Sequence, residues 1–176
     1  RGNREQNIEN AIDASQKSLQ VMTRESMPIK WAETTMNLGT IYTVRLRGDK
    51  EQNIEDAIDA LQQSLQVMTR DAMPTHWAFL MTNLAAAYGT RLRGESDQNI
   101  EKAITIFEQV LEIYQPAQFP NECRKAASFL GNLYSDDQRW SKARTAYEIA
   151  LNAADILYQS SLSLNSREGE LLENRD

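Results

Sequence analysis

The stretch Arg47-Gly48-Asp49-Lys50-Glu51-Gln52-Asn53-Ile54-Glu55 occurs three times in variant form. It is preceded by Arg1-Gly2-Asn3-Arg4-Glu5-Gln6-Asn7-Ile8-Glu9 and followed by Arg93-Gly94-Glu95-Ser96-Asp97-Gln98-Asn99-Ile100-Glu101, a constant step of 46. Pro28, Pro74 and Pro120 keep the same step, as do Tyr42, Tyr88 and Tyr134. The first two units agree at about 28 of 46 positions. A repeat of this length predicts a stacked array whose units bury one another's apolar faces.

Each unit reads as two amphipathic helices. Ile54, Ala57, Ile58, Leu61, Leu65 and Met68 form one stripe of 3.6-residue period, and Trp31, Thr35, Leu38 and Tyr42 form another. No stretch alternates with period 2 long enough for a strand. Asn3 with Gln6, and Asp49 with Gln52, have capping-box spacing. The prolines stand where the first helical residue needs no N–H. Acids crowd the expected helix starts, and Arg45, Arg47, Arg91 and Arg93 the expected ends, as the macrodipole favours. The expected helices are 4–22, 29–46, 52–69, 75–92, 98–114, 120–135 and 139–160. The array therefore covers 1–160 with units starting near 1, 47, 93 and 139, and 161–176 is a linker or the start of a further helix.

Composition narrows the function. The chain has 176 residues, 41% hydrophobic and 25% charged, with net charge −6. An acidic surface disfavours nucleic acid and anionic membrane, since phosphate binding needs a basic field. No apolar run approaches the roughly 20 residues that span a bilayer. One cysteine (Cys123), one histidine (His76) and seven glycines provide neither a zinc site nor a glycine-rich phosphate loop. The lone cysteine suits a reducing, cytoplasmic setting. No catalytic residue, metal or cofactor is expected. Cys123 and His76 occupy ordinary helix-start positions of successive units, and nothing obvious orients an imidazole toward a thiol. Met22, Met27, Met68 and Met73 are expected to fill the inter-helix loops, and Trp31 and Trp77 to anchor packing.

At Ala32…Asn37-Leu38-Gly39…Tyr42 and Ala57…Leu61…Ser64-Leu65 the chain resembles the tetratricopeptide repeat, with six extra residues in each of the two turns. From Gly131 to Ala143 the spacing returns to the family's twelve. The resemblance implies an all-α fold, an α-solenoid of antiparallel helix pairs in a right-handed superhelix with about seven main helices. It also implies a protein–protein interaction scaffold without enzymatic activity, binding a peptide or protein segment on a concave wall formed by the first helix of each pair. Carried across, that wall comprises Glu33, Met36, Asn37, Thr40 and Thr43, then Phe79, Thr82, Asn83, Ala86 and Thr90, then Lys125, Ser128, Phe129, Asn132 and Ser135. Asn37 and Asn83 are one repeat apart, and their amides suit paired hydrogen bonds to an extended backbone; the alternative is that they bridge neighbouring helices. With Lys125 as the single cation, the wall fits a neutral or mildly apolar peptide bound at micromolar affinity or weaker.

The long repeat, together with Leu157-Tyr158-Gln159-Ser160-Ser161-Leu162 and Ser166-Arg167-Glu168-Gly169-Glu170-Leu171, looks like the arrays that precede CHAT (caspase-like) peptidase domains in bacterial, especially cyanobacterial, proteins. The alternative function is therefore a regulatory arm of such a peptidase. Finally, the stripe Ile8, Ala11, Ile12 and Leu19 lacks the helix that would precede it in an array, so end-to-end self-association through the N-terminal helix is expected.

Overall fold

A computed structural model describes residues 3–173, with side chains through 162. Its described residues form seven α-helices: α1 (Arg4–Val21), α2 (Pro28–Thr43), α3 (Lys50–Leu65), α4 (Pro74–Thr90), α5 (Ser96–Ile113), α6 (Pro120–Asp136) and α7 (Trp140–Glu173). The fold is all-α, and sequential helices pack as antiparallel pairs, α1 with α2, α2 with α3, α3 with α4 and α6 with α7. The chain forms two compact units, Arg1–Val110 and Leu111–Asp176, with the boundary inside the last turn of α5.

In the first unit, α3 packs on both α2 and α4, and α1 packs on α2. Most of the expected stripe is core: Ile54, Ala57, Ile58 and Leu61 of α3 and Met68 just beyond it are buried, whereas Leu65, the last residue of α3, is half-buried. On the helices packed against α3, Ala32 and Leu38 of α2 and Ala78, Leu80 and Leu84 of α4 are buried as well. Small residues set the approach of the helices. A Cβ on Gly39 would lie 2.9 Å from Leu61 Cγ and 3.1 Å from the Ala57 carbonyl oxygen. Ser64, fully buried, donates to the Ala32 carbonyl of α2 at 3.0 Å, so its hydroxyl is satisfied inside the core.

In the second unit α6 packs on α7. Cys123, Ala126, Ala127, Leu130 and Tyr134 of α6 are buried, as are Ala143, Ala146, Ala150 and Ala153 of α7. Tyr114 is buried near Phe119, their ring centroids 5.5 Å apart, and burial pushes its phenol up to about 12.

The helix starts follow the sequence logic, with one correction. Pro28, Pro74 and Pro120 each open a helix. Asn3 accepts from the Glu5 N–H and Asp49 from the Gln52 N–H. The reciprocal half of the capping box does not form. Gln6 donates to Asn10 and Gln52 to Asp56, one turn onward, because an exposed amide gains as much from an i,i+4 partner as from the cap.

The arginines also differ from expectation. α2 ends at Thr43 and α4 at Thr90, so Arg45, Arg47, Arg91 and Arg93 lie beyond the last turns. Each turns back to the helix two elements earlier. Arg45 grips Glu9 through two hydrogen bonds of 2.9 and 2.8 Å, and Arg91 grips Glu55 through two of 2.7 Å. Arg47 pairs with Glu5 and Arg93 with Glu51. These pairs span 36 and 42 residues in both repeats.

The turns explain the Arg-Gly…Asn signature. Gly48 and Gly94 have φ of +79° and +82°, the left-handed region. Asn53 and Asn99, both buried, donate their side-chain amides to the carbonyls of Arg47 and Arg93 at 2.8 Å. The motif is thus a self-contained turn. Gly48→Ala should cost about 1 kcal/mol from backbone strain alone, since the nearest atom to an added Cβ is 3.7 Å away. Urea titration of the variant checks this.

The last helix runs on through the serines instead of stopping near 160. Ser160 and Ser161 bond back to the carbonyls of Ile156 and Tyr158, so their hydroxyls are satisfied within the helix and do not break it. Residues 161–173 continue α7; 174–176 lie outside the described residues.

Candidate binding face

The wall residues of the first unit sit on α2 and α4, which touch each other directly. On α2, Asn37 is exposed and Glu33, Met36, Thr40 and Thr43 are half-buried. On α4, Phe79 is 43% exposed and Thr82, Asn83 and Ala86 are half-buried, with Thr90 exposed at the end. In the second unit Lys125, Phe129 and Asn132 are exposed on α6, and Ser128 and Ser135 are half-buried.

The hydroxyls are largely spent on their own helices. Thr40 donates to Met36, Thr43 to Thr40, Thr82 to Ala78 and Thr90 to Ala86 and Ala87, all backbone carbonyls. They can still accept, and their methyl groups make the face more apolar than its residue names suggest. Asn132 accepts from the Tyr147 hydroxyl at 2.7 Å. Asn83 contrasts with these: its amide nitrogen is buried and makes no hydrogen bond. Such an orphaned donor costs about 1–3 kcal/mol.

The remaining candidates have structural surroundings. Cys123 is fully buried, and burial pushes its thiol above the ordinary range. His76 is exposed on α4. Met68 fills its loop at 0% exposure and Met22 and Met73 do so in part, but Met27 is 43% exposed at the mouth of α2. Trp31 and Trp77 are half-buried, each with an arginine over the ring, Arg24 at 5.9 Å and Arg70 at 5.2 Å. Among the described residues no group of His, Cys, Asp and Glu could hold a metal, and no helix is long and apolar enough to cross a membrane.

No family model matches the chain, and no curated protein does. A solved structure does. The chain is similar to one titled "Crystal structure of MamA", at 20% identity, over 86% of this chain and 91% of that one, with a TM-score of 0.46. The similarity is one of fold, and no function passes through it.

A second feature of the first unit carried no motif. A cavity of about 420 Å³ opens at the turn between α2 and α3, lined among others by Arg4, Tyr42, Val44, Leu46, Lys50 and Ile54. The available signal was the step of 46 that relates Arg4 to Lys50, two cations at equivalent helix starts.

Proposed function

We propose that this chain is a non-enzymatic interaction scaffold of the tetratricopeptide kind, binding a peptide or protein segment along the α2–α4 face. The observation that supports it is the partnerless Asn83 amide nitrogen beside the exposed Phe79. A peptide carbonyl would satisfy the donor after a small side-chain rotation, and an apolar ligand side chain would cover the ring. Asn37, exposed one repeat away, is the second rung; Glu33, Met36, Thr40, Thr82 and Ala86 complete the face, and Lys125, Ser128, Phe129 and Asn132 form its counterpart on α6. The single, buried thiol supports a reducing, cytoplasmic setting.

A peptide-array screen of the parent against Asn37→Ala and Asn83→Ala tests the reading. Asn83→Ala should leave stability unchanged or raise it by up to about 1–3 kcal/mol, because it removes a buried donor that has no partner, yet weaken captured peptides about tenfold. Equal binding by parent and variants removes the asparagines from the account.

The alternative, a regulatory arm of a CHAT-type peptidase, draws support from α7. Its 34 residues extend roughly 51 Å, twice the length of α6 with 17, and Tyr158 and Leu162 are exposed on its distal part. The gene sequence downstream of Asp176 decides it. End-to-end association through α1 is supported by the incomplete cover of Ile8, Ala11 and Leu19, while Ile12 is buried. Against it stands Ser15, where the equivalent positions hold the fully buried Leu61 and Phe107. Sedimentation equilibrium of the chain separates the two.

A further inference from the structure

The arginine pairs dictate where the residue between them goes. Arg45 and Arg47 both turn back to α1, onto Glu9 and Glu5. Leu46, between them, is left 62% exposed, and its equivalent Leu92 is 68% exposed. The same large apolar side chain is therefore held in water at two successive turns. At the first turn it borders the cavity of about 420 Å³, a volume typical of ligand pockets.

The charge at this rim runs against that of the chain, which is −6 overall. Arg4, Arg45 and Lys50 line the cavity and no carboxylate does. Arg45 is neutralised by Glu9. Arg4 and Lys50 have no ion-pair partner among the described residues, and the neighbouring Asp49 carboxylate caps α3 by accepting from the Gln52 N–H at 2.8 Å. A cavity of mixed lining, with Val44, Leu46 and Ile54 on its wall and two cations without ion-pair partners beside them, is complementary to an acidic segment with a large apolar side chain.

We propose that the α2–α3 turn of the first unit is a docking edge for an acidic, apolar peptide segment, separate from the α2–α4 face. Its apolar side chain enters the cavity against Val44, Leu46 and Ile54, and its flanking carboxylates meet Arg4 and Lys50. The next turn keeps Leu92, but Lys50 takes the place of Arg4 and Ser96 the place of Lys50, so it offers one cation fewer. That difference fixes the preferred site at the first turn.

The experiment is fluorescence anisotropy of the full chain with a labelled peptide of glutamates interrupted by leucine and phenylalanine. A second peptide replaces those two apolar residues with serine. Binding of the first peptide in the micromolar range at low salt is expected, falling steeply as salt is raised. Arg4→Gln with Lys50→Gln should weaken it about tenfold and Leu46→Ser severalfold. Both changes are at exposed positions, and unchanged thermal melting verifies that the variants fold. Asn83→Ala should bind like the parent, which separates this edge from the α2–α4 face. Undetectable binding by the parent, equal binding by the charge variant, or equal binding of the serine peptide would each overturn the proposal.

Discussion

Leu61→Ala should destabilise the first unit by about 3–5 kcal/mol. Leu61 is among the largest fully buried side chains, at 0% exposure. It lies beneath the closest approach of α2 and α3, where Gly39 has no side chain to move into the space left behind. Ala57, Ala60 and Ala32 nearby are equally short and buried. A cavity there cannot be filled by rotamer changes, so both the transfer cost and the cavity cost are felt. The urea midpoint should fall with the slope of the transition unchanged. Leu65→Ala, four residues on and only half-buried, is the control and should cost less than half as much. Equal losses at the two positions would mean that the full burial of Leu61 against Gly39 does not set the cost.

That prediction draws on the part of the fold most legible in the sequence. Helical periodicity is a local property, and the step of 46 shows which stripes are equivalent, so Ile54, Ala57, Ile58 and Leu61 could be placed in the core from residue types alone. Pro28, Pro74 and Pro120 act through their own backbone and were equally readable. The arginines were not. Their partners lie 36 and 42 residues back, and no i,i+4 rule reaches that far. Asn53 and Asn99 were legible only in hindsight: a polar residue recurring on a buried stripe needs a partner inside the fold, and theirs is the carbonyl before the left-handed glycine. The serines of α7 do not end the helix, because a hydroxyl inside a helix can donate to the carbonyl one turn back, as Ser160 and Ser161 do. On the candidate face, sequence placed Asn37 and Asn83 at equivalent positions, but only coordinates show that one is exposed and the other has an orphaned nitrogen.

The second large effect concerns the grip of Arg91 on Glu55. Its two hydrogen bonds are both 2.7 Å, and the side chains are 24% and 15% exposed. Arg91→Ala should cost about 2–3 kcal/mol, mostly because the Glu55 carboxylate is left partly desolvated without its partner. The hydrogen bonds from Arg91 hold the Glu55 carboxyl below the ordinary carboxylate range, outweighing the opposing effect of burial. The sign of the pH dependence follows. A folded-state pKa below the unfolded value of about 4.3 means the unfolded chain binds the proton more readily. The pair therefore contributes fully above that value, and its contribution disappears as pH falls through the lowered folded pKa. Arg91 stays protonated throughout and adds no slope in this window. The stability gap between parent and Arg91→Ala should be widest at pH 7 and narrow progressively below about pH 4.3. Glu55→Gln should resemble the acidified parent, keeping the shape of the pair without its charge. Urea unfolding of the three proteins at pH 7 and in acid provides the comparison. A gap that stays constant with pH would show that Arg91 acts through the packing of its aliphatic stem beside Tyr88, whose ring lies 5.8 Å from the guanidinium, and not through the ion pair.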